Sequence, residues 1–308
     1  MTQYEINDLD ISKIADDNNW GVILDVDIEY GENLHNDHSD VPLCPENIIP
    51  PGSKFKKLIP NLYDKKNYIA HYRTLKQAIS LGVKIKKINK VLKFEQSAWM
   101  KVYIDLNTKK RTEAKSTFEI EFFKLMINCI YGKCLENPEK RVDVKIITKW
   151  ENIGKRYGAS VLIAKPNFDS VSIFNSNMAA IHLKKVEIVY DRPCYVGFSV
   201  LEISKTIIYD FHYNFMKKMY GDKCKLVYTD TDSLCYEIQM VDVYDDMKKN
   251  ISKFDASNYD PNNVYGCRLS IKKIIGLMKD EMGGKILNEY IGICSKTYMM
   301  RSGKEIKV

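Results

Sequence analysis

Apolar and polar positions along the chain change period several times, which predicts a mixed series of strands and helices. Residues 21–30 (GVILDVDIEY) pass from an apolar run into alternation, the pattern of a strand with one buried face. Asn67–Tyr72 and Val83–Phe94 predict two further strands, and Thr74–Leu81 predicts a short helix between them, ended by Gly82. We expect these elements to form one αβ unit.

The middle of the chain favours helices. Residues 97–103 predict a short helix, residues 107–111 (NTKKR) predict a basic turn, and Thr112–Leu135 predicts a long helix. Cys194–Tyr220 predicts a second long helix. Three further strands are predicted at Arg141–Thr148, Val171–Phe174 and Lys184–Tyr190.

The segment Leu226–Ile238 (LVYTDTDSLCYEI) predicts a β-hairpin, because aliphatic and aromatic flanks enclose the turn formers TDTDS. Residues i and i+2 of an extended segment project to the same side, so Asp230 and Asp232 are expected to face one point beyond the turn. Two carboxylates there suit Mg²⁺, which fills its other positions with water and substrate phosphate. The alternative is ordinary Asx-turn hydrogen bonding. The pattern is not that of an EF-hand.

A second group of candidate residues lies on the helix predicted at Thr112–Leu135. Lys124, Asn128 and Tyr131 stand at i, i+4 and i+7, which places an ammonium, an amide and a phenol on one face. Such a face can bind a triphosphate and stack on a base, and Gly132 would let a nucleotide approach the backbone. The alternative is an amphipathic helix whose polar face meets water.

A third group lies near the C-terminus, where Lys296 and Tyr298 stand two apart in a predicted strand and would share one face. A lysine for phosphate beside a tyrosine for sugar or base is a plausible nucleic-acid contact. Elsewhere, His35 and His38 form a His-x-x-His pair in a proline-rich loop, where hydrogen bonding within the loop is expected rather than a metal.

Charge and composition narrow the class of protein. The net charge is +7. Residues 84–115 carry ten Lys or Arg against three acids, and this excess of positive charge equals the net charge of the whole chain. Such concentration is typical of a phosphate-backbone contact or of a solvated basic face. The eight cysteines show no Cys-x-x-Cys pair, which favours reduced thiols in an intracellular protein. No run approaches the about 18 apolar residues of a membrane span, so we expect no membrane partner.

Three stretches, in this order, resemble motifs of family B DNA polymerases. KLMINCIYG resembles motif B (K-x3-N-S-x-Y-G), YTDTDS resembles motif C (Y-x-D-T-D-S), and KTY resembles the later K-x-Y motif. GVILDVDIEY, LHNDHSDVPLCPE, HYRTLKQAISLGVKIKK, YIDLNTKKR and LMKDEMGGKI are similar to the protein-primed branch, known from phage, adenoviruses and Polinton or Maverick type elements. The resemblance covers nearly the whole chain from about residue 21.

The resemblance implies an α+β fold in which a polymerase palm, an antiparallel sheet with flanking helices, carries an inserted helical fingers element. It implies a palm-proximal segment with a basic αβ insertion at 1–110, the fingers helix with motif B at 111–140, and the palm with motif C and K-x-Y at 141–308. The implied activity is template-directed nucleotidyl transfer in DNA replication, by a two-metal mechanism with Mg²⁺ or, alternatively, Mn²⁺.

The resemblance also implies residue roles. Asp230 and Asp232 would be the catalytic, metal-binding carboxylates, and Lys124, Asn128, Tyr131 and Gly132 would bind the nucleotide. The implied DNA contacts are Thr229, Lys296, Tyr298, Lys109, Lys110 and Arg111. The implied partners are primer-template DNA, deoxynucleoside triphosphates and a terminal priming protein. The nucleus, the mitochondrion and a viral compartment are not distinguished.

Two departures from the family pattern bear on whether this chain has polymerase activity. Cys129 stands where motif B usually has Ser, and Asp25 is the one candidate for the aspartate of motif A. The residues around Asp25 match a strand that lies downstream of motif A in this branch, with Pro usual at Gly31. We therefore expect motif A to lie upstream of Met1, and expect the exonuclease domain and most of the thumb to be absent, so that the chain is a truncated polymerase.

Two alternatives belong to other functional classes. A catalytically inactive nucleic-acid-binding remnant would bind primer-template in a salt-sensitive way without incorporating nucleotides. A metal-dependent glycosyltransferase would use the Asp-x-Asp pair to hold a metal-diphosphate, but it leaves the other two motifs without a role.

Overall fold

The computed structural model describes residues 9–152, 154, 157–256, 259, 276–294, 297–303 and 305–307. The strands are β1 (Trp20–Glu29), β2 (Glu46–Ile48), β3 (Lys57–Ile59), β4 (Lys65–His71), β5 (Lys84–Glu95), β6 (Val142–Ile147), β7 (Phe168–Asn175), β8 (Met178–Lys184), β9 (Cys224–Asp230), β10 (Ser233–Ile238), β11 (Glu289–Cys294), β12 (Thr297–Ser302) and β13 (Glu305–Lys307). The α-helices are α1 (Tyr72–Ser80), α2 (Lys101–Glu113), α3 (Thr117–Cys134), α4 (Ala159–Ile163), α5 (Cys194–Tyr209), α6 (Lys218–Tyr220) and α7 (Val243–Lys249). A π-helix, Asp210–Lys217, joins α5 to α6.

Contacts divide the chain into two units, one formed by Met1–Lys124 with Ser199–Val308 and the other by Leu125–Phe198. The strand pairs of the named sheets are antiparallel in both units. The predicted mixed fold of small antiparallel sheets and helices is therefore confirmed. No helix in the described part of the chain is both long and apolar enough to cross a membrane.

The core of the first unit lies on one face of the sheet β4-β1-β5. Alternate residues of β1 are fully buried, as the period-2 pattern predicts: Val22, Leu24, Val26 and Ile28. They pack with α1, which contributes Tyr72 and other apolar residues, and with Tyr209 and Tyr213. Burial of this continuous apolar face fixes the register of β1, since a slip by one residue would turn the whole apolar set outwards.

The predicted basic turn at residues 107–111 is wrong, because these residues lie inside α2. The amide of Asn107 is buried and donates to the carbonyl oxygen of Tyr103 at 2.9 Å, one helical turn earlier. The basic residues that follow are good helix formers, and cations in the last turn interact favourably with the helix dipole. The chain leaves the helix at Ala114, whose ψ is 136°.

The next helix, α3, begins with a capping box. The backbone N–H of Glu119 donates to Oγ of Ser116 at 3.2 Å, and the Glu119 carboxylate accepts from the backbone N–H of Ser116 at 3.3 Å. This exchange satisfies N–H groups that the first turn of a helix leaves without partners. The helix therefore starts at Thr117, five residues later than predicted from position 112.

The long helix predicted at Cys194–Tyr220 spans these residues, but eight of them near its C-terminal end, Asp210–Lys217, form a π-helix. The π-helix directs His212 and Tyr213 into the core. The hydroxyl of Tyr213 donates to the carbonyl oxygen of Val41 at 2.5 Å, and Nδ1 of His212 lies 3.0 Å from the hydroxyl of Tyr236 on β10. Wider helical turns at this point let consecutive side chains reach two different neighbours.

The second unit contains the sheet β6-β8-β7, and α4 packs on one of its faces through Leu162. The predicted strand Lys184–Tyr190 is wrong, because the strand of this region is β8 and ends at Lys184. An Asx-type bond from the backbone N–H of Asn177 to Oδ1 of Asn175 forms the turn that starts β8. The alternating residues that suggested a strand follow the end of β8, and Val186 among them is exposed to solvent.

Candidate functional site

The predicted hairpin is present as β9 and β10, which pair antiparallel with Asp230 opposite Ser233. Thr231 and Asp232 therefore form a two-residue turn at its tip. Asp230 is half-buried, whereas Asp232 is exposed. The hairpin places one carboxylate against the protein and the other in solvent.

The turn is strained at Thr231, whose φ is +58°. The backbone N–H of Asp232 donates to the carbonyl oxygen of Asp230 at 2.6 Å, which makes Thr231 the centre of a γ-turn. A β-branched residue in this region costs roughly 1–3 kcal/mol and persists where the surroundings impose it. The expectation that both carboxylates project from one extended segment is thereby corrected, since Thr231 is not extended.

Hydroxyl groups surround the Asp230 end of the turn. Oγ1 of Thr231 donates to Oδ1 of Asp230 at 3.2 Å, and Oγ of Ser233 donates to the carbonyl oxygen of Asp230 at 3.2 Å. The Asp230 carboxylate also lies close enough to the Tyr228 phenol to affect it: burial first, and this carboxylate second, raise the pKa of Tyr228. The hydroxyl groups of the turn thus bond both the side chain and the backbone carbonyl of Asp230.

Three tyrosines lie side by side, and one of them, Tyr228, is two residues before Asp230 on β9. The rings of Tyr228 and Tyr298 have their centroids 5.0 Å apart, and that of Tyr290 lies 5.6 Å from Tyr228 and 6.0 Å from Tyr298. Tyr290 is on β11 and Tyr298 on β12, so the C-terminal sheet packs against the hairpin through this tyrosine cluster (Tyr228, Tyr290 and Tyr298). The predicted site residue Tyr298 therefore contacts β9, the strand that ends at Asp230, through the ring of Tyr228. Lys296 lies outside the described residues.

The base of the hairpin is fixed to the core of the same unit. The backbone N–H of Leu226 donates to Oδ2 of Asp40 at 3.2 Å, and the same carboxylate pairs with Nζ of Lys217 at 3.4 Å. The side chain of Leu226 packs against the buried face of the main sheet. The position of Asp230 is thus set by contacts at both ends of β9.

Asp25, the candidate for motif A, lies on the face of β1 opposite the buried one. Its Oδ1 accepts from Nδ2 of Asn89 at 3.3 Å, and the same amide donates to Asp27 at 3.0 Å. A bulge in β5 places Asn89 between these carboxylates. The backbone N–H of Asn67 is the largest cause that lowers the pKa of Asp27. Both aspartates are thus engaged by amides of the sheet.

Among the described residues, no three His, Cys, Asp or Glu side chains form a group suited to hold a metal ion. Asp25, Asp230 and Asp232 therefore do not make a three-carboxylate centre in this structure. The hairpin offers a carboxylate on each side of Thr231. Either one fits a Mg²⁺ ion, because magnesium usually takes one or two protein carboxylates and completes its octahedron with water and phosphate.

The predicted nucleotide-binding residues lie on the exposed part of α3. Lys124 pairs with Glu121 at 3.5 Å and is about half exposed, and Asn128 is exposed as well. Tyr131 is 36% exposed, and a side chain added at Gly132 would meet no atom within 4 Å. The opposite face of the helix is half-buried. The polar stripe is thus accessible from solvent along its whole length.

The predicted DNA-contacting residues have different surroundings. Lys109 lies 4.0 Å from Glu113, and Nζ of Lys110 lies 5.8 Å from the ring centre of Phe123. Nε of Arg111 is buried, with no hydrogen-bond partner in the described part of the chain. Thr229 is exposed on β9. The cations of α2 therefore include both solvated and partly buried groups.

Tyr290 and its neighbour Gly292 were not among the predicted site residues. The sequence signal for them is the alternation in Tyr290-Ile-Gly292 across the strand from Tyr298, which becomes visible only with the β11–β12 register. One histidine of the pair in the proline-rich loop makes a structural hydrogen bond: Nδ1 of His38 lies 2.7 Å from the hydroxyl of Tyr30. Burial lowers the pKa of His38.

Comparison with solved structures gives a similarity to phi29 DNA polymerase complexed with primer-template DNA in a post-translocation binary complex. The TM-score is 0.39 and the sequence identity 16%, over 82% of this chain and 35% of the polymerase chain. A TM-score this low does not establish a shared fold. A scan against protein-family models gives no match. A search of curated protein sequences gives none either.

Proposed function

We propose that the chain is the palm-and-fingers portion of a protein-primed family B DNA polymerase, which adds nucleotides to a primer under the direction of a template. The observation that carries this proposal is the contact between Tyr228 and Tyr298 beside Asp230. It joins two of the three motif-like stretches, which are far apart in sequence, at one carboxylate. If the resemblance of either stretch to a polymerase motif were a coincidence, it would give no reason for the two stretches to be in contact.

The hairpin turn would hold magnesium through Asp230, with Asp232 as its acidic neighbour. When bound, Mg²⁺ lowers the pKa of the attacking hydroxyl and neutralises charge on the phosphates. The strained turn at Thr231 and the hydrogen bond from the Thr231 hydroxyl hold the Asp230 carboxylate in place before the ion arrives. A preformed carboxylate costs less reorganisation on binding than a mobile one. The second ion of the two-metal mechanism is part of the proposal through the resemblance.

The exposed stripe of α3 would bind the incoming deoxynucleoside triphosphate. The ammonium of Lys124 is accessible and would neutralise triphosphate charge, while Asn128 would order the nucleotide by hydrogen bonding. The ring of Tyr131 would stack on the base, and the open space at Gly132 leaves room for close approach. Tyr298 would hold the primer terminus next to Asp230.

The cations of α2 would contact the phosphate backbone of primer-template DNA. Lys109 is well exposed on the surface of the helix, so it is available for a salt-sensitive contact. Lys110 and Arg111 follow it in the last turn of the helix. A terminal priming protein is a further proposed partner, on the resemblance alone.

A second candidate function is nucleic-acid binding without catalysis. The observation that favours it is that no three His, Cys, Asp or Glu side chains of the described residues form a metal-binding group, while the Asp25 carboxylate accepts a hydrogen bond from Asn89. Two-metal transfer needs ligands for both ions. This candidate keeps the DNA contacts of the first and predicts no incorporation.

Primer extension by the purified chain separates these functions. Mg²⁺-dependent extension of a primer-template by the wild-type chain, lost in Asp230→Ala, supports the first function and contradicts the expectation that motif A is missing. Asp222→Ala, which removes an exposed carboxylate near the base of the hairpin, is the matched control and should retain extension. Salt-sensitive binding of primer-template without extension supports the second candidate. A wild-type chain that neither binds nor extends primer-template contradicts both.

A further inference from the structure

Tyr290 lies folded over a glycine of its own strand. A Cβ added at Gly292 would come within 2.8 Å of the Tyr290 hydroxyl oxygen and 3.0 Å of its Cε1. Residues two apart in a strand share a face, so the absent side chain at Gly292 provides the space that the Tyr290 ring occupies. The glycine is required here for close approach rather than for an unusual backbone angle.

The same space is shared with Tyr298 across the strand pair. Gly292 is the direct partner of Tyr298 in the β11–β12 register, so a side chain at this position would also stand beside the Tyr298 ring. Instead, the rings of Tyr290 and Tyr298 stack with an interplanar angle of 28°. Tyr290 thus occupies the place beside Tyr298 that a cross-strand neighbour would otherwise fill.

Tyr290 also contacts the hairpin. Its ring meets that of Tyr228 at an interplanar angle of 36°, and Tyr228 is two residues before Asp230 on β9. The ring of Tyr290 therefore contacts both other members of the tyrosine cluster. Burial is the largest cause that raises the pKa of Tyr290.

We infer that Tyr290, whose ring packs over Gly292, is a positioning residue that sets the orientation of Tyr298 and of Tyr228, which precedes Asp230 on β9. The inference rests on the proposed polymerase function, because the group to be positioned is the primer terminus at Tyr298. The ring, and not the hydroxyl, does the positioning, since the contacts with both partners are ring to ring. A misplacement of about 1 Å in such a site can lower a rate by about 100-fold.

Four variants of the full chain test this inference by steady-state primer extension. Tyr290→Leu removes the ring, and Gly292→Ala keeps the ring but fills the space that it occupies. Both variants should therefore lower kcat about tenfold and raise the KM for primer-template. The KM for the nucleotide should stay within about twofold in both variants. Tyr290→Phe restores the ring and should recover most of the rate. Ile293→Ala, an exposed residue on the other face of β11, is the control.

A second measurement separates failure of the inference from failure of the proposed function. NMR measurement of nuclear Overhauser effects between the ring protons of Tyr228 and Tyr298, assigned with Tyr228→Phe and Tyr298→Phe, reports the contact without catalysis. We expect these effects in the wild-type chain, where the ring centroids are 5.0 Å apart, and in Ile293→Ala, and we expect their loss in Tyr290→Leu. This result supports the positioning contact even if no primer is extended. Unchanged Tyr228–Tyr298 effects in Tyr290→Leu, or wild-type kcat and primer-template KM in that variant, overturn the inference.

Discussion

The rings of Tyr228 and Tyr298 meet with a centroid separation of 5.0 Å and an interplanar angle of 52°. This tilted contact connects the hairpin that carries Asp230 to the C-terminal sheet that carries the second tyrosine. Tilted ring pairs of this kind contribute about 1 kcal/mol beyond the apolar area they bury. The contact therefore both stabilises the C-terminal sheet and gives the Asp230 carboxylate a defined neighbour.

The strained turn predicts opposite effects on stability and activity. Thr231→Gly removes the Cβ clash at φ +58° and should raise the free energy of unfolding by about 0.5–1 kcal/mol, measured by urea denaturation. It also removes the hydroxyl that donates to Asp230, so primer extension should fall.

Thr231→Ala is the matched variant, because it loses the hydroxyl and keeps the Cβ. It should lose activity as Thr231→Gly does, without the gain in stability. Equal stability of all three proteins would contradict strain at this turn.

The buried imidazole of His212 predicts loss of stability in mild acid. Burial lowers its pKa to about 4, and its Nε2 has no partner in the described part of the chain. The folded state keeps His212 neutral while the unfolded state binds a proton below about pH 6.5, so stability falls as the pH drops from 6.5 towards 4. The loss from this group is roughly 2–3 kcal/mol.

Urea denaturation between pH 7 and pH 4 measures this effect. His212→Asn, which retains a hydrogen-bonding group towards Tyr236, should flatten the pH dependence in this range. His182→Asn changes a part-exposed histidine on β8 and controls for the loss of an imidazole elsewhere. The same slope in wild type and His212→Asn would contradict the prediction. Burial also lowers the pKa of His71 to about 4, so some pH dependence should persist.

The main sheet and the hairpin could be predicted from sequence because each depends on local information. The alternation in β1 reports one buried face, and the turn formers between apolar flanks report the tip at Asp230. The start of α3 was open to prediction as well, since Ser116 and Glu119 have the spacing of a capping box.

The tyrosine cluster could not be predicted in the same way. The contact of Tyr290 with Tyr228 depends on the β11–β12 register and on how that sheet meets the hairpin, neither of which is local in sequence. The π-helix could not be predicted either. The inward orientation of its side chains His212 and Tyr213 depends on tertiary contacts rather than on residue spacing.

The accessible stripe on α3 predicts a specific effect on nucleotide use. Lys124→Ala should raise the KM for deoxynucleoside triphosphates about tenfold, because an exposed ammonium is available to neutralise triphosphate charge. The affinity for primer-template, measured by fluorescence anisotropy, and the unfolding free energy should change little.

Glu121→Ala is the matched control for this helix. It removes the ion-pair partner of Lys124 and leaves the ammonium free, so the KM for the nucleotide should fall or stay the same. A rise in this KM in Glu121→Ala as large as that in Lys124→Ala would indicate a general disturbance of α3 instead of a role for the ammonium.

Asp25 and Asp230 are distinguished by conservative replacement with the corresponding amide. Asp25→Asn keeps an oxygen acceptor for the amide of Asn89, so we expect the sheet to hold and Mg²⁺-dependent extension to stay within about threefold of the wild-type rate. Asp230→Asn removes the charge that a divalent ion needs and should lower extension by about 100-fold or more. Loss of extension in Asp25→Asn with unchanged thermal stability would instead assign Asp25 to the metal site, as the aspartate of motif A.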